Sequence, residues 1–257
     1  MLGDLSIPRL SALGALIFLA GFVDAIAGGG GLISLPAYLA AGLNPIFLLG
    51  TNKLSSSIGT AVSTARYLRN GKFPLGPFVP VICAALLASA AGARLALHLR
   101  PEFIRYLLLA ALPVVALTVL TRKKFGHEDR TGQWSAAELA ARSSVVALPI
   151  GCYDGFFGPG TGTFFAVAFS RFCGYDLVKA TTGAKILNLA TNIAALTTFL
   201  AAGKVNLRLG VSMGLLSLAG NYAGASLVIK RGPQAIRPMI ALVCAGLFIK
   251  ILADTLR

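Results

Sequence analysis

The chain has 257 residues, 56% of them apolar and only 12% charged, and its mean hydropathy is +0.78. That balance excludes an ordinary soluble domain and marks a polytopic membrane protein. The net charge of +14 does not indicate nucleic acid: the basic residues stand singly or in small groups between apolar runs, as Arg66, Arg69 and Lys72 do, where lipid headgroups and the positive-inside rule account for them.

Nearly uncharged stretches predict membrane segments at 10–27, 45–65, 75–93, 103–120, 145–157, 177–202, 211–229 and 238–249. Several reach the roughly 20 residues a spanning helix needs. Two shorter apolar pieces, 32–42 and 163–173, follow glycine clusters and are too short to span alone. The first stretch, 10–27, is longer than the short apolar core of a signal peptide, so it reads as a membrane helix rather than a removable signal. Cys83, Cys152, Cys173 and Cys244 have no CxxC spacing and read as small buried apolar residues, with no disulfide framework, metal site or cofactor implied. His98 and His127 are isolated and read as solvated.

An internal repeat organises these segments. A shift of 130 residues lays Asp24 on Asp154, Gly28 on Gly158 and Gly30 on Gly160. At a shift of 132 the match continues through Gly42 with Gly174, Lys53 with Lys185, and Gly92-Ala93 with Gly224-Ala225. The predicted fold is therefore all-α, with two homologous halves of about four hydrophobic segments each, the first of each half broken at a glycine-rich cluster. Residues 1–121 form the first repeat, 122–135 a hydrophilic connecting loop and 136–257 the second repeat. Full crossing by the broken segments makes the repeats parallel. Re-entrant segments make them inverted and gather most basic loops, around 66–72, 122–142, 171–179 and 230–237, on one side.

The breaks carry the functional expectation. A helix interrupted in lipid leaves backbone groups that cost several kcal/mol unless protein or a wet cavity covers them, and paired interruptions in duplicated halves are the pattern of a secondary transporter. Lys53, in GTNKLSSSIGTA, and Lys185, in TTGAKILNLATN, lie deep in uncharged segments, where a cation costs roughly 2.5–3.5 kcal/mol and usually marks a substrate path. With Asn52, Ser56 and Asn188 beside them, and freed backbone N–H groups at Gly30 and Gly160, they suit a small oxyanion. Asp24 and Asp154 have two competing readings: structural partners that neutralise the lysines, or helix-break groups that titrate and couple transport to protons.

The motifs VDAIAGGGGLISLP and GTNKLSSSIGT, repeated as YDGFFGPGTGTFF and TTGAKILNLATN, resemble those of the TauE/SafE family of membrane transporters, also called the sulfite exporter or TSUP family, with its YfcA-like members. The resemblance covers nearly the whole chain. It implies a bacterial inner-membrane carrier that moves sulfite, organosulfonates or related small anions, generally outward. One departure is Ala184, which stands where the first half has Asn52, so the halves do not offer identical ligands. A passive anion channel remains an alternative, as does an intramembrane enzyme using Asp24 and Asp154, although no GxGD or HExxH motif is present. The oligomeric state, a homodimer included, is left open.

Overall fold

A computed structural model describes residues 7–70, 73–100, 103 and 128–231, and the described residues form helices and connections without strands. The helices are α1 (Ile7–Ala27), α2 (Gly31–Ala40), α3 (Pro45–Asn70), α4 (Leu75–Leu97), α5 (Ala136–Phe156), α6 (Thr161–Ala168), α7 (Leu177–Ala201) and α8 (Leu207–Arg231). The segments expected at 103–120 and 238–249, Phe103 apart, lie outside the described residues, as do Lys72, His127 and Cys244.

Among the described residues, four helical stretches are long and apolar enough to cross a membrane: Ile7–Ile26, Leu75–Leu97, Leu177–Ala201 and Leu207–Lys230. Helix α3 has the length, at 26 residues, but carries Asn52, Lys53 and a run of serines along its middle. Helices α2 and α6 have 10 and 8 residues, which at about 1.5 Å per residue reach half the hydrocarbon thickness or less. They are the short pieces after the glycine clusters. Helix α5 begins well before the expected position 145, because a capping box fixes its start: Ser135 accepts the Glu138 N–H, and Glu138 accepts the Ser135 N–H at 2.9 Å. Its polar first turns were invisible to a search for apolar runs. Asp176 caps α7 by accepting from Val178 and Lys179.

The halves interlock instead of standing apart. Helix α4 of the first packs on α5 of the second, α8 of the second packs on α1 and α3 of the first, and α3 lies along α7. Glycines permit these approaches. A Cβ on Gly92 would stand 1.9 Å from the Cys152 carbonyl oxygen, and one on Gly224 would stand 2.4 Å from that of Phe22. The breaks also meet: a Cβ on Gly28 would fall 2.4 Å from the Gly162 Cα.

The outer face of α4 presents Leu75, Val79, Cys83 and Leu87 four residues apart, all exposed. That face explains a correction. Cys173 is buried as expected, but Cys152 is half-buried and Cys83 is exposed, because a membrane protein's apolar stripe can face lipid as well as core. His98 is exposed, as expected, with Nδ1 2.9 Å from the Arg94 carbonyl oxygen.

Candidate functional site

Helix α1 ends at Ala27 and α2 starts at Gly31, with Gly28 at φ 72° between them. In the second half α5 ends at Phe156 and α6 starts at Thr161, with Gly158 at φ 98° and Gly160 at φ 82°. Positive φ is strained for any residue with a Cβ, so the glycines make the breaks sterically feasible. Asp24 and Asp154 each lie on the last turn of the helix before the break, and α3 and α7 carry Lys53 and Lys185 past them.

The pairing is crossed between halves. Lys53 donates from Nζ to Asp154 Oδ2 at 2.8 Å and to Asn192 Oδ1 at 2.9 Å. Lys185 donates to Asp24 Oδ2 at 3.2 Å and also to the Asp24 carbonyl oxygen. Lys53 and Lys185 are each 2% exposed and Asp154 is 1% exposed. Each lysine thus has a carboxylate partner, the arrangement expected if the aspartates neutralise the lysines. Removing one partner of such a pair leaves an uncompensated buried charge at a cost of about 3–5 kcal/mol.

The other expected residues distribute around these pairs. Gly30 donates its N–H to Asp24 Oδ1 at 3.4 Å, and Thr60 donates to Asp24 Oδ2 at 3.4 Å. Asn52 accepts from Ser34 at 2.5 Å, joining α3 to the short helix α2. Ser56 lines a pocket with Asp24, Gly30 and Ser34. Asn188 accepts from Asn192 at 3.5 Å, which extends the Lys53–Asp154 network along α7. Gly160 lies at the start of α6, while Gly158 faces the ion pair: a Cβ there would be 3.0 Å from both Lys53 Nζ and Asp154 Oδ1. Among the described residues no group of three or more His, Cys, Asp or Glu is placed to hold a metal ion.

Sequence reasoning passed over two contributors, Ser217 and Asn221, and set a third, Asn192, beside Lys185 of its own helix. Asn192 sits one helical turn past Asn188, and its contact with Lys53 needed the crossed packing to become visible. Ser217 and Asn221 on α8 line the pocket beside Asp24. Their signal was present, since an asparagine inside the apolar run 211–229 is itself costly in a membrane.

Helices broken at glycines, with paired charges buried at the breaks, define a polytopic membrane transporter architecture. The chain belongs to the sulfite exporter TauE/SafE family, whose match spans residues 13–251. It is 38% identical to the probable membrane transporter protein YfcA of Escherichia coli K12, over 95% of this chain and 90% of that protein. It is 36% identical to the probable membrane transporter protein ORF9 of Sinorhizobium sp., over 98% of this chain and 95% of that one. A probable membrane transporter protein of Haemophilus influenzae is 34% identical over 98% of this chain and 97% of its own length. No solved structure matches the chain. The protein is thus a membrane transporter of bacterial inner-membrane type.

Proposed function

We propose that the chain is a secondary carrier, acting as an exporter, for small sulfur-containing oxyanions such as sulfite or organosulfonates, with alternating access around the two broken helices. The observation that carries this reading is the pair of crossed lysine–aspartate contacts, Lys53 with Asp154 and Lys185 with Asp24, buried at the breaks. An arriving oxyanion replaces a carboxylate as the lysine's partner, so the buried ammonium is never left without one. Because each pair joins one half to the other, exchanging its partner loosens the contact between halves, which is the motion alternating access requires. Asn52, Ser56 and Asn188 supply neutral polar groups beside the ammonium groups, and the N–H groups at Gly30 and Gly160 complete the anion's surroundings. Asp24 and Asp154, relieved of their lysines, take up a proton during the cycle.

The sulfur-containing substrate rests on the family; the site chemistry supports a small anion. The test is uptake of labelled sulfite and sulfoacetate into liposomes holding the purified protein, with sulfate and chloride for comparison, with and without a pH gradient. Saturable uptake of sulfite or sulfoacetate, strongly reduced in both Lys53→Gln and Lys185→Gln, is the expected result. Unaltered transport by both variants overturns the assignment of the lysines. Ion conductance without saturation or counterflow identifies a channel instead of a carrier.

A further inference from the structure

The pocket beside Asp24 shares Ser56 and Gly30 with the proposed anion site and also carries groups that an anion does not need. Its polar lining includes the Asp24 carboxylate, the hydroxyls of Ser56, Thr60 and Ser217, and Asn221. Asn221 is 1% exposed. Its Nδ2 donates to the Ser217 carbonyl oxygen at 3.0 Å and lies 3.4 Å from the Ser217 hydroxyl oxygen, which fixes the orientation of the amide. Its Oδ1 is buried and has no hydrogen-bond partner among the described residues. A buried amide oxygen without a partner is unfavourable and strongly favours an occupant bearing positive charge or a proton.

We propose that this pocket binds a small monovalent cation, with Asp24 Oδ and Asn221 Oδ1 as the principal ligands and the hydroxyls of Thr60 and Ser217 beside them. Oxygen-only ligands select a hard cation. A single carboxylate among neutral oxygens balances one positive charge, which favours Na⁺ or Li⁺ over Ca²⁺ or Mg²⁺. Glycines set how closely α8 approaches α1 and α3 here: a Cβ on Gly59 would stand 2.2 Å from Ser217 Oγ and 2.5 Å from Asn221 Nδ2, and one on Gly21 would stand 2.4 Å from the Ser217 carbonyl oxygen. Any larger residue at these positions displaces the ligands.

The cation and Lys185 compete for one carboxylate. Among the described residues the three hydrogen bonds to the Asp24 carboxylate are long, at 3.2 Å from Lys185 and 3.4 Å from both the Gly30 N–H and Thr60, so the carboxylate is held less tightly than Asp154, which Lys53 meets at 2.8 Å. A cation seated on Asp24 takes over its charge and frees the Lys185 ammonium. On the transport reading above, on which this coupling step rests, the freed ammonium is the group that receives the anion. Cation and anion then bind with positive cooperativity.

The experiment uses the purified full-length protein in detergent and in liposomes. In detergent, the thermal-unfolding midpoint is followed as Na⁺ or Li⁺ replaces choline at constant ionic strength, with K⁺ as a size control. The expected result is a saturable rise with Na⁺ or Li⁺ and little with K⁺, with the half-effect concentration raised about tenfold or more in Asn221→Ala and Thr60→Val. Asn221→Asp keeps an oxygen in place and retains the response, which guards against a folding defect in the alanine variant. Equal effects of Na⁺, K⁺ and choline overturn the site, as does an unchanged Na⁺ response in Asn221→Ala and Thr60→Val. Anion uptake by liposomes in choline medium tests the transport reading separately. Uptake that persists there while no alkali cation stabilises the protein removes the cation site and leaves the carrier. Cation binding without uptake of any anion does the reverse.

Discussion

Two lysine–aspartate pairs occupy corresponding places in the two halves, yet they are built for different duties. Lys53–Asp154 is sealed, with side-chain exposures of 3% and 2%, and Asn192 closes the remaining side of the ammonium. In Lys185–Asp24 the lysine is equally buried, but Asp24 is 14% exposed and lines a pocket. The Lys185 ammonium there leans partly on a main-chain carbonyl. Two similar lysine–aspartate contacts therefore form one tight, asparagine-supported lock and one looser contact open to competitors. Inside a low-dielectric interior, small differences in burial and partner number translate into large differences in the cost of separation, so the second pair is the one suited to open first.

The sharpest way to break this comparison is to neutralise each aspartate in turn. Asp154→Asn leaves Lys53 buried without its carboxylate and should cost about 3–5 kcal/mol, whereas Asp24→Asn should cost distinctly less because Lys185 keeps the carbonyl and the Asp24 side chain is partly exposed. Thermal unfolding of the two variants in detergent measures both. Equal losses would mean that the pairs are interchangeable and that the pocket has no bearing on Asp24. A double-mutant cycle over Lys53 and Asp154 then isolates the pairwise interaction from the effect of each single change.

A smaller effect tests the halves at their packing. Gly92→Ala places a methyl 1.9 Å from the Cys152 carbonyl oxygen, and Gly224→Ala places one 2.4 Å from that of Phe22. Overpacking of this kind costs typically about 1–3 kcal/mol, and the closer approach predicts the greater loss for Gly92→Ala. The same melting experiment ranks them. A reversed order would show that α8 yields less than α4 when crowded.

Much of this architecture was legible beforehand, and the reason is physical. Glycine clusters, buried lysines and intramembrane aspartates are expensive in lipid, so each announces itself in an otherwise apolar chain; Asp24, Lys53, Asp154 and Lys185 were all found that way. What the sequence did not carry was the crossing. Nothing in the spacing of Lys53 indicates that its partner lies 101 positions away on α5, because that choice is made by helix packing between glycine faces such as Gly92 against Cys152. Helical spacing alone misleads at Ser57: it lies four residues past Lys53 on the same face, yet its hydroxyl donates to the Lys53 carbonyl oxygen at 2.7 Å and is committed to its own helix.

A third lysine–aspartate pair sets the aqueous end of the scale. Asp129, in the connection ahead of α5, meets Lys179 at the start of α7, with side chains 30% and 36% exposed. Partial burial pushes the Asp129 carboxyl upward, but hydrogen bonds from Lys179 and from the hydroxyl and N–H of Thr131 outweigh it and hold it below its ordinary value of 3.8. A depressed folded-state value makes the pair's contribution fully present above 3.8 and progressively lost as pH falls through the lower, folded-state value. Exposure limits that contribution to about 0.2–1 kcal/mol. The unfolding midpoint of Asp129→Asn should therefore sit slightly below that of the unaltered protein at neutral pH, and the gap should narrow only in strong acid. A gap as wide as that of Asp154→Asn would remove burial as the explanation for the difference between the two membrane pairs, since this solvent-facing pair would then match the sealed one.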